Sequence, residues 1–158
     1  MLLPHYLRLF HFDHWANLEL AASLITCPEV PAKAVSLLSH YLQEQWVAHK
    51  LLTTKESTNR HDMNEYSLDE CVVQIGELEA AWKTYLSGKS DAHFETSFIY
   101  INAVGKPTDR VVSDLLTDIV DHGTYHRGQI ATLVRQAGGE PAKTWYTRWV
   151  KETARGTR

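Results

Sequence analysis

The chain has 158 residues, 44% of them hydrophobic and 22% charged, with a formal net charge of −3. That length suits one domain, expected over residues 1–150 with a frayed tail at 151–158, whose core needs no disulfides or structural metal. The balance is that of a globular protein rather than a disordered one, and the slight acidity argues against a nucleic-acid-binding role. Cys27 and Cys71 are isolated, with no C-x-x-C spacing, as is ordinary in a reducing cytoplasm. Residues 1–12 carry Pro4, His5, Arg8 and His11 and lack the apolar run of a signal peptide. No stretch approaches the roughly eighteen apolar residues of a membrane span. A cytoplasmic, non-membrane protein is expected.

The first predicted helix covers about residues 4–26. Its inward stripe is Leu7, Phe10, His14, Leu18, Ala21 and Ile25, and Pro28 and Pro31 stop it. His14 lies on that stripe, where a lone histidine is usually a satisfied core residue, with lining of a metal pocket as the alternative. Asn17 is expected to bond a neighbouring backbone group. The second helix, about residues 32–55, is apolar on more than one side (Val35, Leu38, Tyr41, Leu42, Trp46, Leu51), as suits a helix between several neighbours. It carries His40 and His49. Nine residues at 100° each leave these two facing opposite ways, so they cannot reach one ion together, and periodicity does not choose between them.

Residues 56–66 are polar and aperiodic, a loop that includes His61. Ser67 and Glu70 then have the form of a capping box opening a third helix. Its stripe is Leu68, Val72, Ile75, Trp82 and Leu86, and it closes near Gly88. A structureless connection of about twenty residues would be unusual before the next helix. Residues 93–103 are rich in β-branched and aromatic side chains, so one or two short strands are expected there, with Gly105-Lys106-Pro107 as a turn.

The fourth long helix is expected from about Thr108 to Gly138-Gly139. Val112, Leu115, Ile119, Ile130, Leu133 and Ala137 form its core stripe, and the positions this stripe reaches in between are His122 and His126. Four residues apart, the two imidazoles differ by about 40° around the axis and point the same way. A buried imidazole needs partners for both ring nitrogens, since an unsatisfied buried polar group costs roughly 1–3 kcal/mol. A divalent metal would satisfy one nitrogen of each; hydrogen bonds to neighbouring side chains or water are the plainer alternative. Gln129 falls on the same face. Gly123 and Gly128 each cost about 1 kcal/mol relative to Ala inside a helix, which suggests close approach of another helix or a ligand. Beyond Pro141, Trp145, Tyr146 and Trp149 suggest a short helix that packs on the bundle or on a partner.

The run from His122 to Ile130, ending in Arg135-Gln136-Ala137-Gly138, resembles the last-helix signature of the DinB/YfiT-like metalloprotein family. Phe12-Asp13-His14-Trp15-Ala16-Asn17 is similar to its first-helix motif. Leu38-Ser39-His40-Tyr41, with Glu44 and Trp46 following, is similar to the second-helix motif that carries a third histidine. The resemblance covers roughly residues 5–147. It implies an all-α, up-down-down-up four-helix bundle with a short extended or hairpin segment between the third and fourth helices, and it selects His40 over His49 as the third ligand beside His122 and His126. Glu44, one turn beyond His40, is a candidate base or hydrogen-bond partner, or an ordinary surface glutamate.

Three neutral histidines leave coordination positions open, the mark of a reactive rather than a structural site. Imidazole suits several transition metals; the resemblance implies zinc or nickel. It also implies a metal-dependent enzyme that activates a small thiol or water, transferase-like or hydrolase-like. The contrasting readings are a stress-related metal-binding or assembly protein without turnover, and a bundle whose histidines only fill the core. A small-molecule substrate, in particular a low-molecular-weight thiol, is the expected partner, and a homodimer the expected assembly if the chain self-associates.

Overall fold

The computed structural model describes residues 1–56, 63–102 and 104–155. In chain order the elements are α1 (Leu2–Ile25), α2 (Ala32–Thr54), α3 (Leu68–Leu86), the single turn α4 (Asp91–Phe94), strands β1 (Ser97–Ile101) and β2 (Pro107–Val111), α5 (Val112–Gln136) and α6 (Tyr146–Arg155). The chain is mostly helical, as expected. His61 and Ala103 lie outside the described residues.

The four long helices form a ring of contacts in which α1 and α2 each pack on both α3 and α5. Consecutive helices α1 and α2 therefore lie across a diagonal. Side-chain pairs fix the directions. Phe10 meets Trp82 while His14 meets Ile75 and Glu79, so α1 and α3 are antiparallel. Tyr66, just before α3, donates its backbone N–H to Ser39, and Trp46 further along α2 donates to Gln74, so α2 and α3 are parallel. Tyr6 reaches Ser113 and Asp13 reaches Arg127, so α5 runs with α1. The order is up-down-down-up, which the longer connections into α3 and α5 permit.

Local signals set several boundaries. Ser67 Oγ accepts from Glu70 N while Glu70 Oε2 accepts from Ser67 N at 2.7 Å, a complete capping box. Gly138, at φ +78°, takes the left-handed conformation that ends α5. The fourth long helix starts at Val112 rather than Thr108, because residues 107–111 are the second strand, paired antiparallel with β1 from Ser97↔Val111 to Ile101↔Pro107. His93 lies on α4 and not in a strand. At the other end α6 runs through Arg155, into the tail expected at 151–158; residues 156–158 lie outside the described residues.

The inward face of α1 differs from the apolar pattern. Leu7, Leu18 and Ile25 are exposed, and the residues that turn inward are Tyr6, Phe10, Asp13, Asn17, Leu20 and Leu24. These keep the three-and-four spacing, but two of the six are polar, so a stripe built from apolar residues alone is rotated off them. Similarly in α3, Val72 is exposed while Cys71 is buried in the core. The two aromatic residues Tyr146 and Trp149 of α6 close on Phe12 of α1, and Trp145 remains exposed. Among the described residues, no helix is long and apolar enough to cross a membrane.

Candidate metal centre

The contact between α2 and α5 brings three imidazoles together. His40 lies on α2 and His122 and His126 on consecutive turns of α5. One ring nitrogen from each falls within 4.8 Å of the others, a group that could hold a metal ion. Ring centroids are 4.5 Å apart for His122–His126, 4.9 Å for His40–His126 and 5.7 Å for His40–His122. His126 is buried and the other two are half-buried.

The hydrogen bonding of His126 defines its tautomer. Its Nδ1 lies 2.9 Å from Gln129 Oε1, an acceptor, so Nδ1 carries the proton and the Nε2 lone pair points toward His122. The two Nε2 atoms are 2.8 Å apart. Two nitrogens at about 2.05 Å from a common ion would be about 2.9 Å apart at a 90° angle and about 3.3 Å at a tetrahedral one. The observed spacing is that of a direct hydrogen bond between the rings, and it is about 0.1 Å short of the first ligand geometry and about 0.5 Å short of the second. Burial lowers the His126 pKa below the usual imidazole value, and neighbouring His122 lowers it further against the opposing bond to Gln129. The lowered value favours the neutral ring that a metal needs. By donor type and spacing, the three residues could hold a metal ion.

Behind the histidines lies a buried polar network. Arg127 Nη1 donates to Asp13 Oδ1 at 2.6 Å and to Asn17 Oδ1 at 3.2 Å, and Nη2 donates to Thr124. Tyr41, next to His40, donates to the same Asp13 oxygen at 2.8 Å. Asp13 Oδ2 accepts from Asn17 and from Gln45, whose own carbonyl accepts from Trp82. Asn17 thus bonds side chains, not the backbone group expected of it. Burial disfavours charge on Arg127, but Asp13 and Tyr41 beside it hold its pKa above the usual value. Burial raises the Tyr41 phenol well above its ordinary range, and Asp13 adds to this.

Gly123 makes that arrangement possible. A Cβ there would overlap the Tyr41 hydroxyl, so only glycine lets the tyrosine lie against α5. Gly128 is different: a Cβ there meets nothing within 4 Å, which corrects the expectation that both glycines mark close contacts. Five residues is 500°, or 140° net, so the two cannot face one neighbour.

The remaining candidates lie elsewhere. His49 stacks edge-on against Trp46, Trp82 and Tyr85, turned away as its spacing required. His14 sits between α1 and α3, with Nε2 3.2 Å from Glu79. Glu44 is half-buried one turn beyond His40 and is not part of the three-nitrogen group. Sequence reasoning missed Asp13 and Arg127. Both stand within the motifs that carry the family resemblance, Arg127 directly after His126 and Asp13 directly before His14, but the apolar periodicity passes over them.

Comparison with known proteins identifies the family. The model of the DinB family matches residues 31–157, which include all three histidines; the motif at residues 12–17 precedes that span. A local match to Protein DinB of Bacillus subtilis (strain 168) is 57% identical over 35 residues, 22% of this chain and 20% of that protein, so the match spans a fifth of the relative's length. No solved structure matches the chain significantly. With most of its length, from α2 to α6, covered by the family model, the chain belongs to the DinB family.

Proposed function

We propose that the chain holds one divalent transition metal, zinc or nickel, on His40, His122 and His126, and is an enzyme that activates a low-molecular-weight thiol or a water for attack on a small electrophilic substrate. The observation that carries this reading is the convergence of three imidazole nitrogens from two helices within 4.8 Å. Bound there, the metal supplies a positive charge that lowers the pKa of a thiol or water sharing its coordination sphere toward neutrality.

The chain's own residues prepare that site. Gln129 holds the Nδ1 proton of His126 and keeps its Nε2 free to coordinate. Tyr41 and Arg127, both bonded to Asp13, tie α2 and α5 to α1 and so fix the height at which His40 meets the α5 pair. Glu44, one turn from His40 on α2, is the carboxylate proposed to take the proton released by the nucleophile.

The test is a panel of small thiols against a chromogenic electrophile, using metal-loaded protein with metal-free and His126→Ala protein as blanks. Transfer above both blanks is expected. No rate across the whole panel, with metal confirmed in place, would favour the second reading, a metal-binding protein without turnover. One observation favours that alternative: a cavity between α1 and α3 is lined by none of the three histidines.

A further inference from the structure

That cavity, of about 260 Å³, lies in the groove between α1 and α3. Its walls include Phe10, Leu42, Ile75, Leu78, Trp82 and Leu86. The Phe10 and Trp82 rings lie 4.6 Å apart, centroid to centroid. Asp13, Asn17 and Gln45 also line it, each 2% exposed. For comparison, a cavity of about 150 Å³ is enough to hold benzene.

The hydrogen bonds at these polar residues show what the cavity can recognise. Asp13 is saturated: Oδ1 accepts from Tyr41 and Arg127, and Oδ2 from Asn17 and Gln45. The amide oxygens are also taken, that of Asn17 by Arg127 and that of Gln45 by Trp82. Each amide nitrogen, however, has two hydrogens. Among the described residues each donates one of them, in both cases to Asp13 Oδ2. The unused capacity is therefore two N–H donors, one from α1 and one from α2, in a largely apolar pocket. His11, His14, Glu79 and Lys83 also line the cavity, with His14 Nε2 3.2 Å from Glu79. At the amide end a cation would find the Asp13 carboxylate already filled, and an anion would sit beside that same carboxylate. A neutral acceptor fits both constraints.

We propose that this cavity is a binding site, separate from the histidines, for a small neutral molecule of one or two rings carrying a hydrogen-bond acceptor such as a carbonyl oxygen. The rings lie against Phe10 and Trp82, and the oxygen accepts from Asn17 and Gln45. A mostly apolar pocket with a few convergent polar groups is the usual form of such a site.

Two probes with the same fused-ring skeleton, 1-indanone and indane, isolate the acceptor, and their binding to the full chain is followed by ligand-observed NMR titration. We expect 1-indanone to saturate a single site roughly 25-fold more tightly than indane, the effect of two neutral hydrogen bonds. Leu78→Phe fills the cavity and should abolish binding. Leu7→Trp, at a partly exposed position on the lining, should block entry without disturbing the core, and it serves if Leu78→Phe does not fold. Chelator-treated protein should bind as untreated protein does. The proposal is overturned if neither probe saturates, if the two bind equally, if binding survives in the folded variants, or if chelation removes it.

Discussion

Asp13 and Arg127, 114 residues apart, meet at 2.6 Å between carboxylate and guanidinium, and each side chain is 3% exposed. His126 immediately precedes Arg127, so consecutive residues of α5 point about 100° apart, one toward His40 and the other toward α1. The ion pair thereby fixes the rotation of α5 that aims His122 and His126 at His40. Asp13→Ala would strand a buried guanidinium and should cost about 3–5 kcal/mol. Replacing both partners with apolar residues, Asp13→Leu with Arg127→Met, should cost less than the sum of the single changes. Urea unfolding of Asp13→Leu, Arg127→Met and the double variant measures this; strictly additive losses would show that the pair is not coupled.

The two α5 glycines should respond in opposite directions. Gly123→Ala pushes a methyl group into Tyr41 and should destabilise by about 1–3 kcal/mol. Gly128→Ala has open space and should stabilise by up to about 1 kcal/mol through helix propensity. Thermal melts of the pair decide the matter, and equal shifts would mean that Tyr41 does not rest on Gly123.

The bundle and its histidines were legible because their signals are local and periodic. His122 and His126 interrupt an apolar stripe four residues apart, and Ser67 with Glu70 is a self-contained cap. The inward face of α1 was not legible, because Asp13 and Asn17 are inside only by virtue of Arg127, Tyr41 and Gln45, which lie on other helices. Nor could Gly128 be told from Gly123, since the neighbour that makes Gly123 necessary is a tyrosine more than eighty residues away. The second strand was hidden by its polar sequence: Thr108, Asp109 and Arg110 read as a helix start, and only pairing with β1 makes them a strand.

Gln129 should matter to metal binding without touching the metal. Loss of the acceptor on Nδ1 lets the His126 ring reorient and change tautomer. Gln129→Leu should weaken metal affinity roughly 10–100-fold, the usual effect of losing such a partner. Gln129→Glu, which keeps an acceptor, should retain most of it. Competition with a chromogenic chelator reads both values, and a Leu variant with parental affinity would remove Gln129 from the site.

Acid should destabilise the metal-free fold in a defined window. Burial lowers the His49 pKa, and burial together with Lys89 and Lys55 lowers that of His93. Below about pH 6.5 the unfolded imidazoles take up protons before the folded ones do, so stability falls with pH until the lowered native values are passed. His49→Leu should flatten this dependence between pH 7.5 and 5.5 in urea unfolding experiments. An unchanged slope would mean that His49 titrates alike in both states.

The central claim is that His40, His122 and His126 form one metal site, and elemental analysis after loading with zinc or nickel tests it most directly. The parent chain and His49→Ala should each retain about one divalent ion, while Ala at His40, His122 or His126 should lose it with the helical content preserved. Full occupancy in folded His122→Ala protein, or no retained ion in the parent, would contradict the claim.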